Sequence, residues 1–198
     1  MMDSLVQKIT DFCLDRNIID ADNASWFKYG IAKRLSTIFV SIPLFMVAAT
    51  LTSIEVSIAY FLSFAVIRRR ANGYHAKSWL NCLFLSIAIV SVFLGLIYPI
   101  LTPSNSFWVS VACIFLVFVF APYDHKLMHF TPEEYSACRR YSRISICITA
   151  FLALLLYLVG LDSIAAAVVT GMVTAVFLLC LGHISDWRNK HGEKESPG

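Results

Sequence analysis

From Ser36 to Leu181 the chain is a succession of apolar runs, and no Asp, Glu, Lys or Arg falls inside any of them. The runs are Ser36–Ile54 (with Pro43 placed to kink it), Val56–Ile67, Trp79–Leu101, Phe107–Ala121, Ile144–Leu161 and Ile164–Leu181. An apolar segment of roughly 17–25 residues has one ready solution in lipid, the α-helix, because a helix satisfies its own backbone. Composition agrees. Of 198 residues 58% are hydrophobic and only 15% charged, where a soluble domain carries about 25% charge. The expectation is an all-α, polytopic membrane protein with about six transmembrane helices. Residues 1–198 read as a single membrane-embedded domain, since no polar stretch is long enough to build a second core.

The second run is short. It reaches only ~20 Å at ~1.5 Å per residue, against a hydrocarbon core of ~30 Å. Charge counts it as a span, or a steep hairpin, despite its length. The sixteen Lys and Arg fall in four groups, at 8–34, 68–77, 126–143 and 188–194, and the connections at 50–55, 102–106 and 160–163 contain none. The positive-inside rule then places spans within 36–184, with both termini, loops 68–77 and 122–143 and the tail 185–198 in the cytoplasm. The chain is expected in the cell membrane as a multi-pass protein. The short second span further implies that the bilayer thins, or that Arg68–Arg70 lie below the surface and snorkel outward.

Residues 4–20 read as an amphipathic helix lying in the interface. Ser4 and Gln7 have capping-box spacing, and Leu5, Ile9, Phe12 and Cys13 recur at helical spacing. Trp26, Phe27 and Tyr29 with Lys28, Lys33 and Arg34 form an aromatic and basic collar of the membrane-surface kind, which closes an N-terminal segment 4–29. The mixed charge of this segment is unlike a signal peptide.

Several function classes recede. A net charge of +3 on so apolar a chain does not suit nucleic acid. Spans without ionisable groups speak against an ion-coupled transporter. Cys113, Cys147 and Cys180 lie mid-span and read as small hydrophobes. Cys138 with His125 and His129 matches no tight ligand spacing, so no metal and no cofactor is expected.

The chemistry concentrates in Arg68–Cys82, RRRANGYHAKSWLNC. On one continuous helix His75 and Cys82 would stand ~10.5 Å apart along the axis, too far for the hydrogen bond of a nucleophile–base pair. A catalytic pair therefore requires the chain to fold back between them. Asn72-Gly73 is a turn signal, and Ser78 suits the N-cap of the following span. Cys82 then falls in a first helical turn, near Arg68, Arg69, Arg70 and Lys77, a setting that favours thiolate, while burial in lipid opposes it. Two readings stay open at this point: a catalytic pair, or a small core cysteine beside a loop histidine. Asn72, Asn81 and Asp124 are each candidates to orient His75.

The run Gly73-Tyr74-His75-Ala76-Lys77, preceded by arginines and followed by Cys82, resembles the signature of the AgrB family of membrane cysteine endopeptidases in quorum sensing. Length, six-span layout, amphipathic N-terminus and Ala121-Pro122 at the start of the second loop extend the resemblance over nearly the whole chain. Asn72 stands where the family commonly has a second glycine, and 123–129 follows the family's loop only loosely. The resemblance implies catalytic His75 and Cys82, and an AgrD-like propeptide with amphipathic leader, signal segment and acidic tail. Cys82 would cleave before the tail through an acyl-enzyme thioester and support cyclisation to a thiolactone or lactone autoinducing peptide. Gly73 belongs to the signature, and the acidic tail suits Arg68, Arg69, Arg70, Lys77, Arg139, Arg140 and Arg143. A homodimer and membrane lipids are the other implied partners. The rival from another class is a non-enzymatic polytopic protein, a peptide exporter or small transporter, in which Cys82 would be dispensable.

Overall fold

The apolar runs fold as helices, and several of the helices begin well before the run does. The computed structural model describes residues 2–16, 18–20, 23–71, 79–123 and 131–192. Its helices are α1 (Met2–Asp15), α2 (Ala24–Leu51), α3 (Ile54–Ala71), α4 (Trp79–Val92), α5 (Pro103–Phe120), α6 (Pro132–Leu158) and α7 (Asp162–Gly192). A π-helical turn, Phe93–Ile97, and a 3-10 turn, Tyr98–Ile100, prolong α4. Pro99 has no N–H with which to continue the ladder, and the helix changes pitch as it reaches it. Among the described residues there is no strand.

Among the described residues, five helices carry stretches long and apolar enough to cross a membrane: Gly30–Leu51, Leu80–Ile100, Pro103–Phe120, Pro132–Leu158 and Asp162–Trp187. The short second run lies in α3, which at 18 residues is about 27 Å long. It has the length but not the composition, with Glu55 in its first turn and Arg68–Arg70 in its last.

Two helix starts correct the sequence reading. Residues 132–143, expected as part of a loop, are the first turns of α6. Thr131 Oγ1 accepts from the Glu134 N–H at 3.2 Å, the Thr131 N–H donates to Glu134 Oε2 at 2.9 Å, and Pro132 occupies the first turn. The connection at 102–106 is built alike, because Thr102 and Asn105 form a capping box with Pro103 at the start of α5. Each reciprocal pair satisfies two N–H groups that the helix leaves open. At the other end of the chain α7 runs on to Gly192, so most of the expected tail before residue 193 is helical.

The chain divides into two compact units, Met1–Leu44 and Phe45–Gly198. In the first, α1 starts at Met2 and ends at Asp15, so Ser4 lies inside the helix and caps nothing. Gln7 instead bonds Asp11 at 2.8 Å and accepts from Lys28 Nζ at 2.5 Å. Val6 and Thr10 are the buried positions, Ile9 and Cys13 are half-buried, and Leu5 and Phe12 are exposed. The collar residues 26–34 form the first turns of α2.

In the second unit α7 is the central helix. Ala165 through Thr170, then Met172, Thr174, Ala175, Val176 and Leu179, are buried on all sides, as a helix apolar all round should be. α3 lies along it, burying Val56, Ser57, Tyr60, Ser63, Ile67 and Ala71. Lipid gives packed helices no hydrophobic gain over separate ones, so close fit and hydrogen bonds hold them. Gly171 supplies the fit: a Cβ there would stand 1.9 Å from Ser63 Oγ and 2.5 Å from the Tyr60 carbonyl oxygen. Tyr60 OH donates to Thr174 Oγ1 at 3.2 Å across the same seam. Thr170, Thr174 and Ser63 return their own protons to carbonyls one turn earlier, which satisfies the buried hydroxyls at little cost.

Candidate active site at the basic end of the bundle

In the second unit α3, α5 and α7 run in one direction and α4 and α6 in the other. Ser53, Glu55 and Val56 border the same pocket as Gly160–Ile164, and Ser106 bonds Tyr157 at 2.7 Å, so these residues mark one end. At the opposite end the Tyr123 N–H donates to the Ala71 carbonyl at 2.9 Å. That end therefore collects the close of α3, α5 and α7 and the start of α4 and α6. It also collects the charge. Arg68–Arg70, Arg139, Arg140 and Arg143 all lie there, whereas the connections at the other end hold Glu55 and Asp162 and no Lys or Arg.

Cys82 is the fourth residue of α4, half-buried and with a free thiol. The Arg68 guanidinium, folded in from the last turn of α3, interacts electrostatically with it. Its neighbours turn elsewhere. Arg70 stacks over the Tyr141 ring at 5.1 Å, which joins α3 to α6, and Arg69 is exposed. On α6, Arg139 and Arg140 are exposed and Arg143 is half-buried. Of the residues singled out in the sequence, Cys82 and Arg68 are linked by that electrostatic interaction. His75, Gly73 and Lys77 lie outside the described residues, as do Asn72, Ser78, Asp124, His125 and His129. Asn81 is exposed beside Cys82. Cys138 sits in α6, its carbonyl accepting from Ser142 Oγ at 2.7 Å. Among the described residues no cluster of His, Cys, Asp and Glu is placed to hold a metal.

Sequence reasoning missed how the end of α5 is closed. A helix leaves its last carbonyls without partners, and an unsatisfied carbonyl near lipid is costly. The residue four on from Phe118 is Pro122, which has no N–H to offer. Arg143 supplies the donor: its Nη2 bonds the Phe118 carbonyl at 2.9 Å, and its guanidinium lies 4.8 Å from the Phe118 ring centre. The residue four on from Val119 is Tyr123, whose N–H goes instead to Ala71. The Phe120 carbonyl accepts from His183 Nε2 at 2.8 Å. The His183 ring packs edge-on against buried Tyr123 at 5.2 Å and tilted against Phe120 at 5.5 Å. The legible signal was Pro122, which orphans a carbonyl at a known distance behind it. The side chains that answer it come from other helices.

Fold and site first define a class: an all-α, multi-pass membrane protein whose basic end presents a half-buried cysteine in the first turn of a helix. Comparison then narrows the class. The family model described as accessory gene regulator B matches residues 3–179, and the chain belongs to that family, whose members act in accessory gene regulator propeptide processing. Neither a search of curated proteins nor one of solved structures returned a match.

Proposed function

We propose that this protein is a membrane cysteine endopeptidase that removes the C-terminal tail of an AgrD-like propeptide. Cys82 is the nucleophile and His75 the general base. The observation that carries the reading is the position of Cys82, in the first turn of α4 at the basic end of the bundle, where it interacts electrostatically with Arg68. The arginines of that end would draw an acidic peptide tail towards the thiol.

His75 takes the Cys82 proton, and the sulfur attacks the carbonyl carbon before the tail. The C–N bond breaks, and the imidazolium returns its proton to the leaving amine. The leader and signal segment remain on Cys82 as a thioester. A thiol or hydroxyl of the signal segment then attacks that carbonyl, the bond to Cys82 breaks, and the sulfur recovers a proton. The product is a cyclic thiolactone or lactone that still carries its leader. Exchange of one thioester for another conserves the acyl group's free energy, whereas water entry gives a linear product, so a site at the lipid boundary suits cyclisation. The acidic tail meets arginines at the basic end, which the positive-inside rule assigns to the cytoplasm together with both termini.

The test is Cys82→Ala and His75→Ala in proteoliposomes supplied with the propeptide. Each variant should lose tail release by at least ~10³-fold. Tail release at the normal rate from both variants would sink the proposal and leave a non-enzymatic membrane protein as the reading.

A further inference from the structure

We propose that His183 is a positioning residue, whose bond to the Phe120 carbonyl holds the end of α5 where Tyr123 caps α3. The proposal rests on the endopeptidase reading for its consequence in catalysis, though not for its geometry. His183 lies beyond residue 179, where the family match ends. It plays no part in the chemistry assigned to Cys82 and His75.

The connection runs through three described contacts. His183 Nε2 donates to the Phe120 carbonyl at 2.8 Å, since a carbonyl can only accept. Its ring stands against that of Tyr123 at 5.2 Å. The Tyr123 N–H in turn donates to Ala71 at 2.9 Å. Ala71 is the last residue of α3 and is buried, and from it the chain enters the segment that carries His75. A helix from the far end of the sequence thereby fixes the point of departure of the proposed general base. Arg143 holds the neighbouring Phe118 carbonyl at 2.9 Å, so α5 is clamped from α6 and α7 together. Without the His183 donor, Phe120 loses its cross-helix partner, and the α5 end is free to withdraw from Ala71. Ground-state contacts of the substrate are left intact, because nothing in the chain of contacts requires His183 to touch the peptide. The expected deficit lies in the chemical step.

The experiment uses the full-length protein in lipid nanodiscs, with a synthetic AgrD-like propeptide labelled on its tail. His183→Ala should lower kcat about tenfold, the scale of one lost hydrogen bond, and leave KM within about twofold. His183→Gln keeps an N–H donor but cannot act as a base, and it should restore most of the rate. A second measurement needs no turnover. Amide exchange at Tyr123 should quicken about tenfold in His183→Ala and return towards wild type in His183→Gln, with the same pattern in a Cys82→Ala background. Faster exchange together with a refuted endopeptidase reading would leave the latch standing alone. Unchanged exchange in a folded His183→Ala variant overturns the proposal. So does a Gln variant as impaired as the Ala variant, or a loss confined to KM.

Discussion

Replacing Gly171 by alanine tests the packing on which the bundle depends, and here two effects of opposite sign compete. In an isolated helix the change is favourable by ~1 kcal/mol, since glycine is the poorer helix former. In the α3–α7 seam the new methyl would sit 1.9 Å from Ser63 Oγ and 2.5 Å from the Tyr60 carbonyl oxygen. The Ser63 hydroxyl can rotate away, but the carbonyl is backbone and cannot. To reach an ordinary carbon–oxygen contact of about 3.3 Å, the helices must part by roughly 0.8 Å. A gap of that size forfeits a quarter to a half of the dispersion at the seam. It also stretches the 3.2 Å bond between Tyr60 and Thr174 beyond hydrogen-bond range, at ~0.6 kcal/mol. With an overpacking cost of ~1–3 kcal/mol, the net change is a loss of roughly 1–3 kcal/mol. Unfolding in mixed micelles, followed by circular dichroism, reads it out. Adding Ser63→Ala should recover less than half of the loss, because the carbonyl contact remains. A Gly171→Ala protein as stable as wild type, or more so, would mean that the seam is not closed as described.

Two further outcomes follow from the same geometry. Tyr60→Phe should cost ~0.6 kcal/mol, and a double-mutant cycle with Thr174→Val should show coupling of that size; zero coupling would remove the bond from the account. The arginines should separate by role. Arg139→Ala with Arg140→Ala should raise KM for an acidic-tailed propeptide several-fold at low salt and little at high salt, because exposed charges are screened. Arg143→Met should lower stability and leave KM alone, since that side chain serves the Phe118 carbonyl; an equal rise in KM for Arg143→Met would refute the division.

Much of the fold is legible from hydrophobic runs, since in lipid a run of sufficient length has few alternatives to a helix. The boundaries are less so. Thr131-Pro132-Glu133-Glu134 carries a complete start signal, yet the nine residues between it and Ile144, three of them arginines, conceal a helix that begins outside the apolar region. The Ser4–Gln7 spacing misleads for the opposite reason, as α1 has already begun at Met2 and a cap works only at an end. At the candidate site, spacing and charge single out Cys82 and the arginines as candidates. They do not say which arginine turns inward, because that depends on how α3 meets α4 and α6. Arg68 is half-buried and interacts electrostatically with Cys82, Arg70 stacks over Tyr141, and Arg69 is exposed. His183 is invisible for the same reason: its partner is a carbonyl 63 residues away in the chain.

The central claim is that Cys82 carries the substrate as a thioester, and trapping that species tests it most directly. A propeptide whose ring-closing Cys or Ser is replaced by alanine cannot complete the second transfer. After incubation in nanodiscs and an acid quench, intact mass should show the leader and signal segment added to the protein. Peptide mapping should place the adduct on Cys82, and hydroxylamine should remove it. Release of the tail with no adduct on Cys82 at any time would contradict the account.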